Sequence, residues 1–161
     1  MTFILTTPVT GYTGSGGGVG GSDQIMCVHN GNESQTFGND PINLIFDAAV
    51  LMDPAYLYSA GALTINQDGV YFISVDVSFT GDSSDTTTVR TEIIRNGVAV
   101  PGTVAHSNHV AGNAGLQTTT INTSIICSIG DVIMVRATRE SGSGFISSQE
   151  HGCRLNMYKL R

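Results

Sequence analysis

Two histidines three residues apart are the first side chains of this chain whose spacing could support chemistry. His106 and His109 lie in a stretch rich in Gly, Asn and Ser. Imidazole nitrogens bind zinc, but a zinc site needs at least a third protein ligand. The nearby Asn108 and Asn113 are poor candidates for that role. The sequence therefore favours exposed loop histidines over a metal site.

A short acidic stretch offers a second set of possible ligands. Asp82, Ser83, Ser84 and Asp85 place several oxygen atoms close together in sequence, and oxygen is the ligand that calcium prefers. A solvated hairpin loop explains the same residues without a metal. We therefore expect no metal ion and no other cofactor here.

Glycine and serine patterns that could mark a catalytic or nucleotide site lack the required context. Gly16, Gly18 and Gly21 match the GxGxxG spacing, but a dinucleotide site needs a strand before it and a helix after it. Segments 14–16 and 142–144 read Gly-Ser-Gly in Gly/Ser-rich stretches, whereas a nucleophilic serine needs a sharp turn between strand and helix. The sequence predicts no catalytic residues, so the protein is not expected to be an enzyme.

Composition narrows the possible partners. The 161 residues carry a net charge of −6, and only 12% of them are charged. A protein that binds nucleic acid needs a basic patch, and seven Lys and Arg spread along the chain do not form one. The longest apolar run, residues 43–52, is interrupted by polar residues and is too short to cross a membrane. We therefore expect neither a nucleic-acid nor a membrane partner.

The N-terminal residues and the cysteines indicate the compartment in which the protein is made. Residues 1–5 lack a basic start, so we expect no secretory signal. Cys27, Cys127 and Cys153 are odd in number and form no CxxC pair, which favours buried free thiols over disulfides. Both features predict a protein made in a reducing cytoplasm.

The elements that must position any site are β-strands. Tyr71, Ile73, Val75, Val77 and Phe79 alternate with polar residues, which is typical of a half-buried strand. Further strands are predicted over 23–29, 41–51, 87–94, 118–128, 132–137 and 153–160, with a hairpin turn at Asn96-Gly97. The best helix candidate, residues 48–58, contains Pro54. The fold class is therefore all-β, and short strands separated by frequent turns predict a single sandwich or barrel.

The first 21 residues differ from the rest. Residues 11–21 are mostly glycine, which favours neither a helix nor a packed strand. We interpret residues 1–21 as a Gly-rich N-terminal arm and residues 22–161 as the jelly-roll domain. The apolar and aromatic side chains of the arm are candidates for contacting a binding partner: Phe3, Ile4, Leu5 and Tyr12.

Aromatic residues on the predicted strands indicate an interface. Tyr71 and Phe79 fall on the core face of their strand, whereas Phe72 falls on the opposite face. Tyr158 lies on the closing strand and is expected on that opposite face as well. An aromatic residue on each side of one strand makes Phe72 and Tyr158 candidates for a subunit interface.

Several short motifs, in order, resemble the C1q/TNF-like jelly-roll family. They cover about residues 41–160 and lie at 41–47, 58–65, 68–72, 95–97, 130–132 and 155–160. The best match is Asp68-Gly69-Val70-Tyr71-Phe72, which is similar to the family's x-G-x-Y-x-F strand. No collagen repeat lies before the domain, and residues 1–40 have no counterpart in the resemblance.

The resemblance implies a homotrimer. Similar small trimers occur on bacterial spore surfaces and on phage particles, so we expect a virion structural protein. It would be a capsid decoration (cement) protein or a short head fibre, made in the host cytoplasm and bound to a capsid lattice. The alternative is the tip of a trimeric adhesin that binds a receptor or glycan through loops 81–87, 103–117 and 141–150.

Overall fold

The computed structural model describes residues 26–29, 34–46, 48–51, 56–81, 85–112 and 115–160. In these residues the chain forms twelve β-strands and no helix, and hence no helix that could cross a membrane. The predicted arm, residues 1–21, lies outside them. The strands are β1 (Met26–His29), β2 (Thr36–Phe37), β3 (Ile42–Asn43), β4 (Ala48–Leu51), β5 (Tyr56–Ser59), β6 (Ala62–Ile65), β7 (Gly69–Gly81), β8 (Thr87–Arg95), β9 (Val98–His109), β10 (Gln117–Cys127), β11 (Val132–Ser141) and β12 (Ile146–Lys159).

The strands form two antiparallel sheets of six strands each. Sheet A has the order β10-β7-β12-β1-β4, with β2 also paired to β12. Sheet B has the order β5-β6-β11-β8-β9, with β3 also paired to β11. Successive strands from β7 to β12 cross between the sheets or pair as hairpins, which gives the jelly-roll sandwich that the sequence predicts.

The core lies between the sheets, and the period-two pattern of β7 explains its position. The side chains predicted to point inward from Tyr71 to Phe79 are fully buried. Sheet B contributes Val89 and Ile93 from β8 and Ile133 and Val135 from β11, all with no exposed surface. Burial of these alternating residues fixes the register, because a slip by one position would turn the whole set toward solvent.

The predicted apolar segment 41–51 is not one strand. Its first part, β3, pairs with β11 in sheet B, and its second part, β4, pairs with β1 in sheet A. Between them the side-chain amide of Gln35 donates to the carbonyl of Ile45 and accepts from its N–H, each at 2.8 Å. These two bonds satisfy the backbone N–H and carbonyl of Ile45 where the chain passes from sheet B to sheet A.

The hairpin turn predicted at Asn96-Gly97 connects β8 and β9. Both residues have positive φ, 52° and 82°, which this dipeptide tolerates better than others. The Asn96 side chain also donates to Asp131 and accepts from the N–H of Val132. The turn is therefore tied to the start of β11.

Two predicted loops are shorter than the sequence indicated. Strand β9 continues through His109, so residues 103–109 of the predicted loop 103–117 are paired with β8. Strand β12 begins at Ile146, so most of the predicted loop 141–150 is also strand. Glycine, asparagine and serine disfavour strands locally, but pairing with the long strands β7 and β8 outweighs that preference.

Candidate subunit interface on sheet A

Three neighbouring strands, β10, β7 and β12, present one broad outer face away from the core. Among the side chains that the structure describes on this face, Asp76 and Arg154 are the charged ones. The face consists of Val70, Phe72, Ser74, Asp76, Ser78, Thr118, Thr120, Asn122, Ser124, Ile126, Arg154, Asn156 and Tyr158. A face depleted in charge is typical of the buried centre of a protein interface.

Phe72 and Tyr158 form an aromatic pair on this outer face. They are register partners on β7 and β12, and their ring centroids lie 5.9 Å apart at an interplanar angle of 44°. Each side chain is half-buried, because cross-strand neighbours on a sheet face cover one another. The structure thus places both predicted interface residues together, on the side opposite the core residue Tyr71.

Apolar residues continue from the aromatic pair to the end of the sheet. Ile126 is 71% exposed and pairs with Val70. Leu160 is also exposed, and its N–H donates to the carbonyl of Val70 at 2.7 Å. This end of the face is therefore a contiguous apolar surface, and its exposure to water is unfavourable.

The other end of the face is polar and internally bonded. The Thr120 hydroxyl donates to Asp76 at 2.7 Å, and the hydroxyls of Ser78 and Thr118 lie 2.9 Å apart. Arg154 is exposed and is the register partner of Asp76. The hydroxyl groups at this end already have hydrogen-bond partners, and Asp76 and Arg154 carry opposite charges. Covering this end of the face therefore costs little desolvation.

The turn at the apolar end and the strand residue before it carry two groups whose pKa is clearly displaced. The N–H of Ser128 and the side-chain amide of Asn96 bind the Asp131 carboxylate, which lowers the pKa of Asp131 below its usual 3.8. Burial, with a smaller contribution from Asp131, raises the pKa of the Cys127 thiol to about 11. Cys127 and Cys153 are both buried and form no disulfide, and the Cys153 thiol donates to the carbonyl of Ser78 at 3.7 Å. The side chain of Cys27 lies outside the described residues.

The outer face of sheet B has the opposite character, and the sequence reasoning missed it. The Glu92 side chain is 3% exposed and accepts from Arg90 at 2.7 Å and from Arg136 at 2.6 and 2.7 Å. Arg90 and His106 also reach Glu140, at 3.7 and 3.0 Å. The alternation of β8 places Arg90 and Glu92 on one face, which the sequence could have shown. Their further partners, Arg136 and Glu140, lie on β11.

The two candidate zinc ligands do not point to one site. Both lie on β9, where a spacing of three places them on opposite sides of the strand. His106 points outward and contacts Glu140, whereas His109 is 1% exposed, and neither of its ring nitrogens has a hydrogen-bond partner in the described part of the chain. The expectation of two exposed loop histidines was therefore wrong. Among the residues that the structure describes, no three potential metal ligands cluster.

The remaining sequence candidates are only partly described. The Ser143 hydroxyl donates to Asp85 at 2.5 Å, so this carboxylate joins two loops. Residues 82–84 of the acidic stretch lie outside the described residues. So do the arm residues Phe3, Ile4, Leu5 and Tyr12.

Comparisons with known proteins agree with this architecture. The sandwich is similar to crystal structures of murine APRIL; for the form at pH 5.0 the TM-score is 0.62 at 14% identity, covering 84% of this chain and 98% of the other. It is also similar to the Eiger TNF of S. frugiperda, with a TM-score of 0.56 at 12% identity over 85% and 92% of the two chains. At 14% and 12% identity, these similarities show the fold alone.

The sequence comparison identifies the family. No curated protein matches the chain in sequence. The model of the TNF (Tumour Necrosis Factor) family matches residues 47–138, which is more than half of the chain. The resemblance seen in the motifs is thus confirmed, and the chain belongs to the TNF family.

Proposed function

We propose that the protein is a homotrimeric, non-enzymatic binding or structural module that assembles through the outer face of sheet A. The observation that carries this proposal is the half-buried pair of Phe72 and Tyr158, in the middle of a face with little charge. Large aromatic side chains contribute most to interface energy when partner atoms cover them completely. A second and a third copy would supply those atoms.

A positive charge in the centre of the face tests this assembly. Ser74 is half-buried between Asn122 and Asn156, so Ser74→Arg would bury a guanidinium against a neighbouring copy without a partner. The matched control is Thr138→Arg, a half-buried hydroxyl residue on the outer face of sheet B. Light scattering of the wild type and the control should give about three times 16.9 kDa, and Ser74→Arg should give the monomer mass. A trimer in Ser74→Arg, or a monomeric wild type at high concentration, would refute the interface.

The finer proposal is a virion role: a capsid decoration or short head-fibre protein that binds and stabilises a capsid lattice. Three features support it: the low share of charged residues, buried cysteines that form no disulfide in the described part of the chain, and a Gly-rich segment before the sandwich. In this proposal Phe3, Ile4, Leu5 and Tyr12 provide the attachment to the lattice. Copies bound side by side would gain avidity from such tethers.

Two measurements test the virion role. Mass spectrometry of purified particles from the source should find the chain at a copy number that fits a capsid lattice, and its absence would overturn the role. Capsids stripped of the protein should rebind the full chain, whereas a variant lacking residues 2–21 should rebind several-fold more weakly. Full occupancy by that variant would remove the arm from the proposal.

The alternative, an adhesin tip that binds a receptor or glycan, is favoured by a different observation. Val110, Leu116 and Phe145 are exposed on loops at one end of the sandwich, and Phe145 is 66% exposed. Aromatic side chains on polar loops are common in recognition surfaces. A glycan array probed with the wild type and with Phe145→Ser separates the two functions, since specific binding that Phe145→Ser abolishes would favour the adhesin.

A further inference from the structure

The turn between β8 and β9 contains a dipeptide that is prone to a spontaneous covalent change, Asn followed by Gly. Asn96 and Gly97 are both exposed, and a Cβ built on Gly97 would meet no atom of the described chain within 4 Å. Glycine has no side chain that could shield its backbone nitrogen. The Gly97 nitrogen is therefore open to react with the neighbouring Asn96 carboxamide.

The reaction is deamidation through a cyclic imide. The Gly97 nitrogen loses its proton to solvent and bonds to Cγ of Asn96, and the bond from Cγ to Nδ2 breaks with release of ammonia. Water then adds to one carbonyl of the five-membered ring and breaks its bond to the ring nitrogen. Opening at the former side-chain carbonyl leaves aspartate, and opening at the backbone carbonyl leaves isoaspartate. The net change converts amide and water to carboxylate and ammonium.

The fold holds the Asn96 carboxamide by both of its polar atoms. Nδ2 donates to Oδ1 of Asp131 at 2.6 Å, and Oδ1 accepts from the N–H of Val132 at 2.8 Å. Ring closure draws Cγ onto the Gly97 nitrogen and expels Nδ2, so the contact with Asp131 is given up. The Asp131 carboxylate also disfavours the amide anion that attacks, because both carry negative charge.

We propose that Asn96-Gly97 is a deamidation site that the contact with Asp131 keeps slow, and that its conversion loosens the turn. In the native protein the reaction then proceeds from conformations in which the turn has opened locally. This inference goes beyond the proposed function and requires no second subunit, particle or ligand.

Conversion would replace an attractive contact by a repulsive one. Residue 96 loses the amide that donates to Asp131, and a second carboxylate takes its place. Isoaspartate also adds one backbone carbon to a two-residue turn whose geometry sets the register of the hairpin. Asp131 Oδ2 accepts from the N–H of Ser128 at 2.9 Å, so the disturbance reaches the turn before β11 as well. Because ammonia leaves, the change marks the age of each molecule.

Peptide mapping by mass spectrometry measures the conversion. The folded protein and the protein unfolded in urea are incubated in the same mildly alkaline buffer, and deamidation is followed at residue 96 separately from the second Asn-Gly pair at 30–31. We expect Asn96 to convert roughly tenfold more slowly, or slower still, in the folded protein. Asp131→Ala should raise the folded rate several-fold and leave the rate in urea unchanged.

Two control variants separate the contact with Asp131 from general loss of stability. Asp68→Ala removes another carboxylate from the turn before β11, where Asp68 accepts from the N–H of Ile129 at 2.7 Å, and leaves the Asn96 contacts in place. Gly142→Ala introduces strain near Thr87, at the other end of β8. Both variants should convert Asn96 at the wild-type rate when folded.

The effect of conversion on the turn is tested with Asn96→Asp, which has the charge of the product. Asn96→Gly is its control, because it removes the same hydrogen bonds without adding charge and tolerates positive φ. We expect Asn96→Asp to have a Tm several degrees below that of Asn96→Gly at neutral pH. The difference should shrink at about pH 3, where carboxylates become protonated.

Four results would overturn the proposal. The first is equal rates of conversion at Asn96 in the folded and the unfolded protein, and the second is no conversion in either. The third is a rise in Asp68→Ala or Gly142→Ala as large as that in Asp131→Ala, which would show that the contact with Asp131 is not what slows the reaction. The fourth is a Tm of Asn96→Asp equal to or above that of Asn96→Gly. None of these results depends on the Ser74→Arg assembly test.

Discussion

The buried carboxylate on sheet B allows a prediction whose magnitude follows from its contacts. Glu92 is 3% exposed, accepts one hydrogen bond each from Arg90 and Arg136, and has a further ion-pair contact with Arg136. Removing one partner of a fully buried ion pair costs about 3–5 kcal/mol. The two guanidiniums are 35% and 30% exposed and can regain water. We therefore expect Glu92→Gln to lower the free energy of unfolding by about 2 kcal/mol, below the fully buried range.

The assay is urea or thermal unfolding at one protein concentration, because assembly makes apparent stability depend on concentration. A loss of about 2 kcal/mol lowers the Tm by roughly 4–8 °C in a domain of this size. The matched control is Glu140→Gln, whose carboxylate contacts Arg90 and His106 but is 38% exposed. Exposed pairs contribute about 0–1 kcal/mol, so the control should change little.

A double-mutant cycle then isolates the interaction. Glu92→Gln, Arg136→Gln and the double variant should give a coupling energy of about 1–3 kcal/mol, because the two residues are in direct contact. Equal effects of Glu92→Gln and Glu140→Gln, or a coupling energy near zero, would refute the reasoning that burial strengthens this network.

Three further predictions concern the turns and the core. Gly142→Ala should lower the free energy of unfolding by roughly 2 kcal/mol or more, because φ is +87° and a Cβ would lie 2.6 Å from Thr86 O. The control is Gly112→Ala, where φ is +71° but a Cβ would meet open space. Urea unfolding measures both variants. The lowered pKa of Asp131 adds stability that is present above about pH 4 and is lost as the pH falls through the pKa of the folded protein. Between about pH 5 and pH 3, Asp131→Asn should therefore lose less stability than the wild type does, as measured by urea unfolding. The pKa of Cys127, about 11 instead of 9.0, leaves about 100-fold less thiolate, so alkylation mapped by mass spectrometry should be much slower in the native than in the unfolded protein.

Sequence patterns predicted the fold where local signals and tertiary contacts agree. The alternation of residues 71–79 identified both the core face and the outer face of β7, because a strand has only two sides. The Asn-Gly pair at 96–97 identified a hairpin, since few dipeptides tolerate positive φ at both positions. The position of Phe72 and Tyr158 on one side followed from the same periodicity.

The remaining features depend on contacts between distant strands. His109 belongs to a segment rich in Ser, Asn and Gly, yet pairing with Thr87 buries it. The network around Glu92 needs Arg136, which is 44 residues away in sequence. The burial of His109 and the contact of Glu92 with Arg136 leave no local pattern, because both arise only when β8, β9 and β11 lie side by side.

The contrast between the two outer faces supports the choice of sheet A for assembly. Covering the outer face of sheet B would desolvate Arg90, Arg136 and Glu140, whose charges are stabilised partly by water. Covering the outer face of sheet A would bury the aromatic pair of Phe72 and Tyr158 and, among the described side chains of β7, β10 and β12 on that face, two charged ones. The desolvation cost is thus lower, and the apolar gain higher, on sheet A. A trimer built on sheet A would leave the charged face of sheet B in solvent, where Arg90, Arg136 and Glu140 keep their hydration.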